Sequence, residues 1–200
     1  MPYPFSKRLF DIILGLIFFL ISLPFYPFIA LLIILESGFP VFVALDRVSG
    51  GKIVKVYKFR SMVRNAHAMK PNLMEHNERN DGPLFKMAHD PRITHVGKWL
   101  RKLRIDEFPQ LINVLQGRLA LVGPRPHEPE EVAQYPEAFK NILEARGGLT
   151  GLSQVRGASL LPFQKELEFD EYYIAHQSPW LDAKILLETI LIFFSNPTGV

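Results

Sequence analysis

The 200-residue chain has no cysteine, six scattered histidines and a net charge of +3. These totals point to one modest domain with at most an appendage, exclude disulfide staples and Cys-ligated zinc, and leave no His-Glu-x-x-His signature for a zinc hydrolase. The net charge hides a split, with 14 Lys+Arg against 4 Asp+Glu in residues 47–104 and 7 against 13 in residues 106–188; the basic block suits anionic headgroups and anionic substrates, and with no nucleic-acid-binding motif no nucleic acid is expected.

Residues 12–35 run without a charge. As helix that is about 36 Å, enough to cross a hydrocarbon core of about 30 Å. The run is too long for a cleaved signal peptide and no small-x-small site follows it. Pro24 and Pro27 sit in its middle, where a proline removes a backbone bond and clashes with the preceding turn. The expectation is two arms of about 18 Å, each too short to span alone, with Ser22 back-bonding a carbonyl at the bend. Both flanks are basic: Lys7 and Arg8 before, Arg47, Lys52, Lys55 and Lys58 after. Basic flanks favour the cytoplasmic side. A re-entrant helical hairpin over residues 1–38 keeps both inside, and is preferred to a straight span or a buried core helix.

Residues 39–200 then form a second domain. Two β-rich runs in 41–59 flank Ser49-Gly50-Gly51, a hairpin signal. A helix is expected over 61–79, interrupted at Pro71, and a turn at Asp90-Pro91. Thr94 starts an amphipathic helix over 94–103, with Val96, Trp99, Leu100 and Leu103 on one face and Lys98, Arg101 and Lys102 on the other. It suits a membrane surface or a packed position equally. A short helix is expected over Pro109–Leu115, ending near Gly117, then an apolar run at 119–122 and a rigid Gly123-Pro124-Arg125-Pro126 turn. Residues 128–145 read as helical with a break at Pro136, 147–151 as a loop, and 163–177 and 180–194 as helices. The fold class expected is α+β, mostly helical.

Adjacent Asp106 and Glu107 follow a basic stretch and precede a proline-started helix. They suit a divalent cation, a nucleophile with a proton-handling neighbour, or a plain helix cap paired with arginines. Arg125, held between prolines, presents a planar fork that matches phosphate oxygens. Lys58-Phe59-Arg60-Ser61-Met62 puts two cations close together. The glycines of 148–155 let a backbone approach a ligand.

In this order the segments resemble the bacterial sugar transferases, the small monotopic polyprenyl-phosphate phosphoglycosyl transferases. The likeness runs from Lys7-Arg8-Leu9-Phe10-Asp11 to the last helix. It rests on Pro24, the 58–62 segment, Asp106-Glu107-Phe108-Pro109-Gln110 with Asn113, Val114 and Gly117, the 123–126 turn, and Thr150 to Val155. The resemblance implies transfer of a sugar-1-phosphate from a UDP-sugar to polyprenyl (undecaprenyl) phosphate, with UMP released, as the first membrane step of glycoconjugate synthesis. It implies a membrane hairpin beneath a catalytic domain on the cytosolic face of the bacterial inner membrane, with interfacial amphipathic helices. It implies a phosphosugar held covalently on Asp106, and Mg2+ bound at Asp106. Glu107 would handle the cation or a proton, and Arg60, Arg101 and Arg125 would hold phosphates. Thr150, Gln154 and Arg156 fall on the nucleotide-sugar side. The chain ends where the small members end; a homodimer is left open. Two positions depart from the family pattern: Gly147 stands where a proline is usual, and Ala158 where an arginine often follows glycine. The rivals are a membrane-anchored hydrolase using water as acceptor, and a scaffold without activity.

Overall fold

The computed structural model describes residues 3–195. Helices α1 (Phe5–Ser22) and α2 (Tyr26–Ser37) are joined by one 3-10 turn over Leu23–Phe25. The expected break at the prolines is therefore a tightened turn, with right-handed helical angles kept through Leu23 and Tyr26. Pro24 and Pro27 each fall in the first turn of the segment that follows, and the N–H each lacks is a helix bond given up where the turn tightens. The Ser22 hydroxyl donates to the Phe19 carbonyl at 2.8 Å, the back-bond expected there.

Strands β1 (Phe42–Ser49) and β2 (Lys52–Phe59) pair antiparallel from Phe42↔Phe59 to Ser49↔Lys52. Gly50 and Gly51 close the hairpin with φ of 61° and 70°, the positive angles a two-residue turn requires. The helix expected over 61–79 is shorter: α3 is Ala66–Leu73. Met62 instead bridges Ile93, and Asn65 turns the chain left-handed just before the helix. Helix α4 (His95–Lys102) is capped as expected, Thr94 Oγ1 accepting from Gly97 N at 2.9 Å. It packs on α2: Leu100 and Val96 meet Ile29, Ile33 and Phe59. Trp99, expected on that face, points away and is 65% exposed.

Helix α5 (Gln110–Leu115) and strand β3 (Ala120–Val122) follow. Residues 128–145 form only a short α6 (Pro129–Val132) and a 3-10 stretch, Glu137–Glu144, in place of the helix expected. The glycine segment expected as loop contains strand β4 (Gly148–Thr150), parallel to β3 through Ala120↔Gly148 and Val122↔Thr150. The chain ends in α7 (Leu152–Val155), α8 (Phe163–Ala175) and α9 (Pro179–Ser195).

A central core gathers Val56, Leu111, Val114, Leu119, Leu121 and Tyr173, with Leu14 and Phe18 of α1 packed on it. The inward stripe of α1 is polar: Lys7, Asp11, Gly15 and Ser22 are its buried residues. Lys7 Nζ lies 2.8 Å from Asp182 of α9 and 3.7 Å from Asp11. Tyr173 of α8 donates to Asp182 at 2.7 Å. Arg8 donates to the carbonyls of Val114 and Leu115 at 2.6 and 2.7 Å, closing the C-terminus of α5. The outward face of α1 and α2 is apolar and exposed at Ile13, Leu20, Ile21, Phe28 and Leu35, the reverse of a helix on a water-facing domain.

Candidate active site

The site is assembled by one amide. Asn113 of α5 is fully buried. Its Oδ1 accepts from Tyr57 N at 2.9 Å and its Nδ2 donates to the Lys55 carbonyl at 2.8 Å. It thus occupies the hydrogen-bonding edge of β2 as a neighbouring strand would. That clamp fixes α5 against the hairpin, so the turn before α5 delivers Asp106 and Glu107 beside the end of β2. Arg104 helps by adopting a left-handed φ of 51° and opening the 3-10 turn Ile105–Glu107.

Lys58 Nζ donates to Glu107 Oε1 at 2.6 Å. Burial opposes ionisation of Glu107, but the charge and hydrogen bond of Lys58, with Arg125 and Arg104 behind, hold it below the usual carboxylate range. Asp106 is 5% exposed. Burial raises its carboxyl above the ordinary range; Glu107 adds to the rise, while Lys58 and Arg101 oppose it. Among the described residues no neighbouring side chain hydrogen-bonds Asp106, whereas Glu107 is pinned. Two adjacent carboxylates therefore differ in their freedom to react.

Backbone contact brings the two glycine segments together. Gly123 N donates to Thr150 O at 2.9 Å and Gly148 N to Pro124 O at 2.8 Å. A Cβ on Gly148 would stand 2.2 Å from Gly123 N, so only glycine permits this approach. The 123–126 turn is held from below by Asp170 of α8, whose Oδ2 accepts from Arg125 N at 3.2 Å and Oδ1 from Ser153 Oγ at 2.8 Å. Burial pushes Asp170 up to about 7. Gly147, one of the departures, donates its N–H to Ser49 Oγ at 2.9 Å, a bond proline lacks.

A cleft of about 1150 Å³ runs between these elements. Asp106, Glu107, Arg60, Arg101, Arg125 and Gln154 all line it, as do Lys58, Arg64, Arg104 and His127. Arg101 donates through Nε to Ser61 Oγ at 2.9 Å. Thr150 and Arg156, expected on the nucleotide-sugar side, do not line the cleft. Thr150 Oγ1 bonds Thr189 at 2.8 Å and Arg156 pairs with Glu188 at 2.9 Å, both on α9. Lys58 belonged to a segment the sequence singled out, but not as the partner of Glu107; His127 is an addition the sequence did not single out. His127 is buried, its Nδ1 is 2.6 Å from the Tyr135 hydroxyl, and its Nε2 has no partner. Nothing in its sequence context marked it beyond its place after Pro126.

Among the described residues no group of three or more Asp, Glu or His is set to hold a metal. Mg2+ is commonly held by one or two carboxylates plus substrate phosphates, and the Asp106–Glu107 pair fits that smaller demand.

A family model for bacterial sugar transferases matches residues 2–196. The chain is 36% identical over 193 residues to the undecaprenyl-phosphate galactose phosphotransferase of Salmonella typhimurium, covering 92% of this chain and 40% of the relative. It is 36% identical over 200 residues to the UDP-glucose:undecaprenyl-phosphate glucose-1-phosphate transferase of Escherichia coli, covering 95% and 40%. It is 32% identical over 189 residues to the exopolysaccharide production protein ExoY of Sinorhizobium fredii, covering 92% and 84%. The chain thus spans about two fifths of the first two relatives and most of the third.

Proposed function

The chain belongs to the bacterial sugar transferase family, and from that premise we propose that it moves a sugar-1-phosphate from a UDP-sugar to polyprenyl phosphate, releasing UMP. The observation that carries the reading is the unequal carboxylate pair: Glu107 is tied to Lys58, while the buried Asp106 is free on the cleft wall near Arg101. An Asp106 oxygen attacks the β-phosphorus of the donor. The bond from that phosphorus to the bridging oxygen breaks, and UMP leaves with the electron pair. An oxygen of the lipid phosphate then attacks the same phosphorus, the bond to Asp106 breaks, and the carboxylate is restored. Arg101 and Arg125 hold donor phosphate oxygens and offset charge in both transition states. A bound Mg2+ would be held by Asp106 with the donor pyrophosphate and would neutralise charge on the leaving phosphate.

The membrane reading is supported by the exposed apolar face of α1 and α2 and their polar inward stripe. Large exposed apolar patches mark interaction surfaces, membranes among them. We read this pair as a re-entrant element in the cytosolic leaflet of the cytoplasmic membrane, with residues 39–200 as a catalytic domain on the headgroup plane. Placing both substrates at one surface turns a three-dimensional search into positioning.

The test uses the full chain in detergent micelles with a panel of radiolabelled UDP-sugars and undecaprenyl phosphate. Wild type should form lipid-linked label with matching UMP release, and Asp106→Asn should form neither. A full-rate Asp106→Asn enzyme sinks the nucleophile assignment. Free sugar phosphate without lipid product favours the hydrolase instead.

A further inference from the structure

Beside the carboxylates, the cleft holds a second cationic group that the donor chemistry leaves unused. Arg60 is 5% exposed, yet its Nε and Nη1 are buried without a partner. Only Nη2 is engaged, donating to Ser37 Oγ at 2.7 Å and to Gly38 O at 2.5 Å where α2 ends. Arg64 is its neighbour. The Arg64 Nη2 lies 3.1 Å from where a Gly38 Cβ would stand, and both arginines line the cleft. Burial, then the charge of Arg64, makes Arg60 harder to keep protonated. Among the described residues no carboxylate pairs with either guanidinium. Two like charges with unfilled donors on a cleft wall are a site for an anion.

The surroundings narrow what that anion is attached to. The rim here carries Phe39 and Phe42, 65% and 46% exposed, and both line the same cleft. Such a rim suits an anion with an apolar tail rather than a water-soluble nucleotide. Ser61, next in chain to Arg60, accepts from Arg101 Nε at 2.9 Å. This end of the cleft is thereby tied directly to the arginine beside Asp106.

Resting on the transferase reading above, we propose that Arg60 and Arg64 form the acceptor subsite, binding the phosphate monoester of polyprenyl phosphate apart from the donor phosphates. Arg60 has two roles: Nη2 fixes the end of α2, and Nε and Nη1 keep N–H groups to donate to the anion. The membrane helix and the acceptor site are then positioned by a single side chain.

The test measures both Michaelis constants in neutral detergent micelles, with a short-chain polyprenyl phosphate and the preferred UDP-sugar as probes. Arg64 is exposed, so Arg64→Gln leaves the fold intact. Its KM for polyprenyl phosphate should rise about tenfold, the loss of about 1.4 kcal/mol of binding, with the KM for UDP-sugar unchanged. Arg60→Lys, which keeps a charge and a donor for Gly38 but loses the Nε and Nη1 donors, should shift the same constant in the same direction. Parallel rises in both constants would make this a donor site and overturn the proposal. So would unchanged constants, alone or with weaker flotation on phosphatidylglycerol vesicles, the latter marking a bilayer-headgroup patch. Wild type that makes no lipid-linked product from any UDP-sugar removes the transferase reading itself, an outcome distinct from an active wild type with indifferent variants.

Discussion

Gly97 lies where α4 crosses the segment leaving β2, and replacing it with alanine should disturb the site without touching a charged group. A Cβ at that position would stand 1.9 Å from the Ser61 carbonyl oxygen and 2.8 Å from Ser61 Cα. Ordinary contact begins near 3.4 Å, so helix and segment must part by roughly 1.5 Å. That parting strains Thr94 N to Ser61 O (3.2 Å) and Arg101 Nε to Ser61 Oγ (2.9 Å). Two hydrogen bonds, one charge-assisted, are worth about 2–3 kcal/mol, and overpacking adds about 1–3 kcal/mol. The better helix propensity of alanine returns about 1 kcal/mol. A net loss of about 2–5 kcal/mol should lower Tm by about 4–20 °C for a chain of this size. The shift also moves Arg101 relative to Asp106, and a misplacement of about 1 Å can cost about 100-fold in rate. Thermal unfolding by circular dichroism in detergent and initial rates of UMP release read the two effects. Lys98→Ala, on the exposed side of the same helix, should change neither. Gly97→Ala with wild-type Tm and rate would refute the steric account.

Lys7→Met should destabilise by about 3–5 kcal/mol, because it leaves the buried Asp11 and Asp182 uncompensated; adding Asp182→Asn should recover part of that loss, and strictly additive losses would argue against the pairing. Asp170 is 2% exposed and burial pushes it up to about 7 from 3.8. A carboxyl raised in the folded state holds its proton more tightly there, so its contribution is full below about pH 4 and is lost as pH rises through about 7, a span of at most about 4 kcal/mol. Asp170→Asn gives up one acceptor and should be the less stable protein at pH 5, yet approach or exceed wild type at pH 8; parallel pH–stability curves would count against it. Thr150→Val and Arg156→Ala should leave the KM for UDP-sugar unchanged, since both side chains contact α9 outside the cleft; a tenfold rise would restore them to the donor site.

What could be read in the sequence was whatever a short segment decides by itself. The β-hairpin follows from two glycines between β-rich runs, the Thr94 cap from one hydroxyl before a helix, and Asp106-Glu107 from two acids among bases. The helix predicted over 128–145 and the loop predicted at 147–151 failed for the opposite reason. Strand β4 contains a glycine that has no strand preference; it forms because Gly123 and Gly148 let two backbones meet. Asn113 was part of a matched segment, but its work as a substitute strand depends on β2 lying beside it. Thr150 and Arg156 lie four and two residues from Gln154, yet Thr150 at the end of β4 and Arg156 just after α7 turn toward α9 while Gln154 lines the cleft. Lys7 shows the limit most clearly. In sequence it is a flanking cation, indistinguishable from one that stays in water. In the fold it is buried against a carboxylate 175 residues away. Hydropathy alone cannot separate a helix wrapped by protein from one wrapped by lipid, because both are apolar. Burial adds what hydropathy lacks: α1 buries Lys7, Asp11, Gly15 and Ser22 and leaves Ile13, Leu16, Ile17 and Leu20 exposed. In water that arrangement would leave apolar surface unburied and desolvate ions together; that cost is the physical argument behind the membrane placement proposed above.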